Sequence, residues 1–367
     1  MSFARFMELA LYAPGLGYYS GGSHKFGEQG DFLTAPELTP LFGQALARQI
    51  APILQASSPL LMEAGAGSGR LAADLLLALD ALGCPPTQYQ ILELSGELRA
   101  RQAATLAEHA PEFAGRVSWL EELPERWSGC LVGNEVLDAM PTHQLRWTGT
   151  GLFEVGVSIA DGRLVRAERP ARDFLVDAAQ RLPTTAEFTG EISLSARAWV
   201  AELARRLDKG AMILIDYGLP QHELYHPQRD GGTVRCHYRH RVHDDPLWYP
   251  GLSDITSHVD FSAVAEAGFE RGLDVLGYTS QGNFLVNCGI GELLMARREA
   301  APSRSRVGAG DTVIGTRTVT SPDKAQGAVN ILISPNEMGE LFKVIALGRG
   351  LNESLLGFSR QDRVHTL

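Results

Sequence analysis

Pro59-Leu-Leu-Met-Glu-Ala-Gly-Ala-Gly-Ser-Gly-Arg70 is the stretch from which the rest of the chain can be read. Leu60, Leu61 and Met62 form a short apolar run bounded by Pro59 and by glycines, the pattern of a buried strand. Beyond Arg70, Leu71, Leu75, Leu76 and Leu79 recur at helical spacing, with Asp74 on another face. The glycines therefore stand at a strand-to-helix turn. Missing Cβ atoms there let backbone approach a ligand, and the helix N-terminus offers unpaired N–H groups. A Gly-rich turn that binds nothing is the plainer alternative for so short a motif.

Two familiar nucleotide motifs do not fit. A dinucleotide fingerprint counted from Gly65 and Gly67 meets Arg70 where its third glycine belongs, and the Gly-Lys-Ser/Thr of a phosphate-binding loop is absent. Glu63-x-Gly65-x-Gly67-x-Gly69 instead resembles motif I of S-adenosylmethionine (SAM)-dependent methyltransferases.

Downstream, Gln88 to Ser95 reads as a second buried strand ending at Glu93. The gap from Gly69 suits one crossover helix, and an acid there can take both hydroxyls of a ribose; a solvated strand-end glutamate is the bland reading. Glu97 to Glu108 is helical. Val117-Ser-Trp-Leu120 is a third strand that would bring Trp119 or Leu120 near an adenine ring, although packing alone accounts for both. In Ser128 to Pro141, Cys130, Leu131 and Val132 form a fourth strand, with Gly133-Asn134-Glu135 at its carboxyl end, where open α/β sheets bind ligands. Asn134 offers a donor and an acceptor, and Glu135 and Asp138 can accept from a cationic or amide-like substrate. Helix capping by Asn134, with Glu135 in the first turn, is the competing explanation.

Upstream, residues 1–58 read as a helical and looped N-terminal arm. The Gly- and aromatic-rich run Phe26 to Glu37 within it is either packing or a lid closing over a cofactor through Gly30, Asp31, Phe32 and Thr34. Residues 59–350 read as the α/β domain, for which the motif I resemblance implies a doubly wound, mostly parallel sheet with an antiparallel last strand. It carries a β-hairpin insertion at about 142–194, a polar loop at about 219–262 and a flexible linker at about 300–327. A helix is predicted from Gly282 to Ala296, a final strand from Leu341 to Leu347, and a disordered tail over 351–367.

A formal net charge of -10, from 33 basic and 43 acidic residues, argues against nucleic-acid and anionic-membrane binding and permits attraction of an Arg-bearing partner. Cys84, Cys130, Cys236 and Cys288 are scattered, without a C-x-x-C pair, so neither zinc nor a disulfide framework is expected. His237, His240 and His243 recur every third residue, but the flanking residues lack strong helix signals and period three does not point three ligands to one side of a strand, so no metal is expected. No apolar run reaches membrane-spanning length and no signal or transit character is seen, so the bacterial cytoplasm is the expected location.

Several runs together resemble the MidA-type proteins, class I SAM-dependent methyltransferases tied to assembly of respiratory complex I. They are Tyr12 to Tyr19, Gly30 to Glu37, Glu63 to Gly69, Gly133 to Pro141, Ile215 to Gly218, Tyr238 to Pro246, Asp254 to Phe261 and Ser334 to Lys343, in the family's order. Val136 stands where that family more often has a bulky aromatic. The resemblance implies SAM as cofactor and methylation of an accessible arginine on a protein substrate, giving symmetric dimethylarginine on a complex I subunit; a homodimer is compatible with it. In that setting Glu135, assisted by Asn134 and Asp138, would grip the arginine. Glu63 and the backbone at Gly65, Gly67 and Gly69 would hold the methionine end of SAM, and Glu93 the ribose. The rivals are a small-molecule SAM methyltransferase, a SAM-binding assembly factor without turnover, and a NAD-dependent oxidoreductase, which Arg70 disfavours.

Overall fold

The computed structural model describes residues 1–21, 34–184, 187–239, 241–300 and 322–367. The first four strands are β1 (Leu60–Ala64), β2 (Gln88–Leu92), β3 (Val117–Leu120) and β4 (Trp127–Asn134). Next come β5 (His143–Thr148), β6 (Gly151–Ala160), β7 (Arg163–Pro170) and β8 (Phe188–Ile192), which make a separate antiparallel sheet in the order β7-β6-β5-β8. After the long β9 (Leu207–Leu219), β10 (Arg235–Tyr238), β11 (Arg241–His243) and β12 (Asp254–Thr256) form a small antiparallel sheet. The two-residue β13 (Val259–Asp260) pairs with β9, and β14 (Asp274–Ser280) and β15 (Phe342–Arg349) complete the set.

The central sheet runs β14-β15-β9-β4-β1-β2-β3. Strands β1, β2, β3, β4 and β9 are parallel, whereas β15 is antiparallel to both its neighbours. This is the doubly wound, mostly parallel sheet with an antiparallel last strand that the sequence predicts.

Period-two alternation sends successive side chains to opposite faces, and both faces are buried. On β4, β9 and β15, the side chains of Cys130, Val132, Ile213, Ile215, Val344 and Ala346 join one cluster, with the helices Leu41–Ala56 and Arg70–Ala81. Their neighbours Leu131, Met212, Leu214, Ile345 and Leu347 join the other, with the helices Leu194–Arg206 and Phe261–Phe269. At the N-terminus, α1 (Phe3–Tyr12) is capped by Ser2 Oγ and packs against the two smaller sheets through Phe3, Phe6, Met7 and Leu11.

Three predicted segments differ from the structure. The run Gly282 to Ala296 is two helices, Gln281–Asn287 and Ile290–Ala300, because Gly289 breaks the path at φ 77°. The polar loop of 219–262 carries the β10–β12 sheet, whose buried Cys236 and Ile255 pack on α1. The tail expected to be disordered is tied down. Leu355 and Phe358 are buried, Phe358 meets Phe284 edge to face, and Gln49 Oε1 accepts from the Gly357 N–H at 2.8 Å. Asn287 Nδ2 donates to Gly357 O and Arg360 O at 2.9 Å each, and Arg363 pairs with Glu340, so polar contacts from distant segments fix it as well. Most of the predicted linker at 300–327 lies outside the described residues, which resume with the helix Pro322–Ile333.

Candidate active site

At the carboxyl ends of β1, β2 and β4, where strand order reverses, a cavity of about 680 Å³ opens. One wall is the turn after β1. Gly65, Gly67 and Gly69 hold φ of 64°, 51° and 85°, a left-handed path that a side chain would strain. A Cβ on Gly69 would lie 2.9 Å from Gln102 Cα, so the helix Gly96–His109 presses directly on this turn. Gln102 ties the wall together: its Nε2 donates to Gly67 O at 3.1 Å and to Glu93 Oε2 at 3.2 Å. Glu93 Oε1 accepts from Ser95 N at 2.9 Å. Burial raises the Glu93 carboxyl, against the pull of these donors.

Glu63, buried at the end of β1, accepts from the Tyr89 hydroxyl at 2.6 Å. Burial pushes its carboxyl up to about 7, the Tyr89 hydrogen bond resists, and the nearby Glu93 charge adds to the rise. Ser68 Oγ donates to Glu37, which brings the short helix Ala35–Leu38 against the turn.

The opposite wall is built on β4. Glu135 leaves the strand at φ 54°, in the left-handed region that a residue with a side chain seldom adopts. One carboxylate oxygen holds this bend: Asp216 Oδ2, on β9, accepts from the backbone N–H groups of Val136, Leu137 and Asp138 at 3.0, 2.8 and 3.3 Å. Asn134 Nδ2 donates to Glu135 Oε1 at 3.0 Å. Its own Oδ1 is buried and accepts no hydrogen bond among the described residues. Facing them, Tyr19 donates to Asp254 Oδ1 at 3.0 Å and Tyr12 to Ala139 O at 2.9 Å, the two rings stacked at 5.5 Å.

Four carboxyls, those of Glu135, Asp138, Asp216 and Asp254, thus gather near one another. Burial, then the Asp216 charge, pushes Glu135 up to about 8; Asp216 itself rises to about 7 through burial. Asp138 rises well above its ordinary range through burial and the charges of Asp216, Glu135 and Asp254. Such a cluster favours a cationic guest, which would relieve the mutual repulsion.

Of the residues singled out from sequence, Thr34, Glu63, Gly65, Gly67, Glu93, Asn134, Glu135 and Asp138 line this one cavity. Gly69 caps the following helix behind it. Trp119 and Leu120 are not among the lining residues. Trp119 Nε1 donates to Gln102 Oε1 at 2.8 Å and so buttresses the wall from behind, while Leu120 O accepts from Arg99. Gly30, Asp31, Phe32 and His240 lie outside the described residues. His237 lines the cavity, and among the described residues no cluster suited to a metal ion is found. Tyr12, Tyr19, Asp216, Tyr217 and Asp254 also line or support this site, and the sequence alone assigns them no role in it. Asp216 alone had a usable signal, an acid at the end of a buried apolar run, as Glu93 is.

The chemistry of the walls suits SAM. The volume is ordinary for a cofactor-sized ligand. The left-handed glycine turn exposes backbone, Glu63 supplies negative charge for an ammonium, and Glu93 supplies acceptors for a diol. Strand order, turn and acids together define a class I methyltransferase.

The comparisons agree. A family model described as "Putative S-adenosyl-L-methionine-dependent methyltransferase" matches residues 45–279. A Burkholderia thailandensis protein crystallised with S-adenosyl-homocysteine is 49% identical, with a TM-score of 0.90 over 100% of this chain and 92% of that one. The mouse protein arginine methyltransferase NDUFAF7, mitochondrial, is 29% identical over 94% of this chain and 80% of its own length. Its Danio rerio namesake is 29% identical over 100% and 87%. The chain belongs to this family of SAM-dependent methyltransferases, and SAM is its cofactor. Among the described residues no helix is long and apolar enough to cross a membrane.

Proposed function

We propose that the protein methylates an arginine side chain of a protein substrate. One observation carries the reading: Glu135, Asp138 and Asp254 converge in the same cavity as the glycine turn, with Glu135 held in a left-handed bend. A strained residue held by a dedicated anchor is the kind of outlier found at functional sites. The arginine methyltransferases among the relatives support the same reading. Symmetric dimethylation on a respiratory complex I subunit is the finer form that the family resemblance suggests.

Bound SAM supplies an electrophilic methyl on a sulfonium. The chain's own residues do the rest. Glu63, the backbone of Gly65 and Gly67, and Glu93 bind and orient the cofactor, so that the acceptor nitrogen can be aligned in line with the methyl. Asp138 and Asp254 offset the guanidinium charge. Glu135, steadied by Asn134, localises that charge on one nitrogen and takes its proton as the nitrogen–carbon bond forms. The unpartnered Asn134 Oδ1 accepts from a second guanidinium N–H.

Incubation with labelled SAM and lysate from a deletion strain, followed by mass spectrometry, should place the label on arginine; label on a small molecule alone refutes the reading. Glu135→Gln should abolish transfer while SAM affinity stays within a few-fold, and unchanged turnover would remove Glu135 from its role.

A further inference from the structure

The rim of the cavity exposes large apolar side chains that the described fold leaves uncovered. Leu16 is 79% exposed, Val242 62%, Leu252 53%, Trp248 47% and Tyr249 44%. Three of them neighbour the cavity wall in the chain or across a strand pair. Leu16 follows Gly15, which lines the cavity, and Val242 is the cross-strand partner of the lining residue His237. Leu252 stands two residues before Asp254. The Leu16 and Trp248 segments meet each other, since a Cβ on Gly251 would lie 2.5 Å from Leu16 O. Trp248 lies 4.6 Å from Tyr249 and 4.9 Å from His243, ring centre to ring centre. Tyr249 holds φ 55°, so the backbone is strained at the point where the ring is presented.

We propose that this aromatic rim docks the segment of the protein substrate that flanks the arginine in the cavity. The inference rests on the arginine reading above. The carboxylates inside select a cation on a narrow side chain, and an arginine reaching Glu135 and Asp138 leaves its own backbone lying across the mouth. A freely diffusing cation would have no use for an apolar rim there. Exposed Trp and Tyr on a strained turn are what protein recognition uses as anchors. The chain's net charge of -10 disfavours the competing occupant, an anionic bilayer.

The test compares two peptide probes with labelled SAM: one with a central arginine and apolar flanks, the other acetyl-Gly-Arg-Gly-amide. Trp248→Ala and, separately, Leu16→Ser combined with Val242→Ser should each lower kcat/KM on the flanked peptide by roughly tenfold or more, through KM. Turnover of the short peptide and SAM affinity should stay unchanged. Equal kcat/KM for both peptides with the unmodified protein, or equal losses on both in the variants, would overturn the rim and leave the arginine reading standing. No transfer to either peptide would overturn the arginine reading and the rim with it. Loss of binding to phosphatidylserine vesicles in Trp248→Ala, with peptide kinetics unchanged, would assign the rim to a membrane and refute the proposal.

Discussion

Glu63→Gln should make the ligand-free protein more stable and the cofactor less tightly held. Glu63 is 2% exposed, and its folded carboxyl sits at about 7 against an ordinary 4.5. A raised acid binds its proton more tightly when folded, so the penalty is absent below the ordinary value and complete above the folded one. The difference, 7 minus 4.5, at ~1.4 kcal/mol per unit gives about 3 kcal/mol of lost stability at pH 8. Glutamine removes the charge and still accepts from the Tyr89 hydroxyl. The expected gain is up to about 3 kcal/mol at pH 8, roughly 4 °C in Tm for a chain of this length, narrowing towards pH 4.5. Losing a charge-assisted contact to the cofactor's ammonium should weaken SAM about ten- to hundredfold. Thermal melts at pH 5 and pH 8, with calorimetric titration of SAM, measure both. A variant that melts below the parent at pH 8, or that binds SAM equally well, refutes the assignment of Glu63.

Three other outcomes bear on the same walls. Glu135 must be ionised to take a proton, and its carboxyl stands at about 8 without a cation beside it, so kcat/KM should climb as pH rises towards 8. Stopped-time assays across pH 6 to 9 test this, and a flat profile contradicts it. Asp216→Asn leaves the N–H groups of Val136, Leu137 and Asp138 a weaker acceptor, but burial holds the Asp216 carboxyl at about 7, so removing its charge should raise stability at pH 8 and leave it little changed near pH 4. Denaturant melts at the two pH values measure the stability change, and kcat should fall far more than SAM affinity as the Glu135 bend loosens. Gly65→Ala puts a Cβ 3.2 Å from Val136 Cγ2 at φ 64°, a strain of about 1–2 kcal/mol. It should weaken SAM binding by calorimetry and lower Tm by a few degrees.

Much of the sheet was legible because its signals are local. Short apolar runs such as Leu60–Met62 and Cys130–Val132 need only neighbouring residues to be seen, and both faces of these strands are buried. The glycine turn was legible for the same reason, since three left-handed positions must be glycine. Trp119 shows where such reasoning stops. A strand-end position says nothing about which neighbour fills the space, and here Gln102 does. Phe358 shows the converse, an apolar residue in a polar run whose groove is made by Phe284 and Gln49, far away in the chain.

The order of apolar and glycine residues thus determined the parallel sheet, its turn and the acids at its strand ends, since backbone geometry and side-chain alternation act within a few residues. Only tertiary structure brought Tyr12, Tyr19 and Asp254 to face Glu135, and only it hung three backbone N–H groups on Asp216. Those contacts join residues some eighty to more than two hundred positions apart. No local pattern encodes them; they follow from packing two inserted sheets and an N-terminal helix over the strand ends, where burial gathers scattered carboxyls into one site and raises them together.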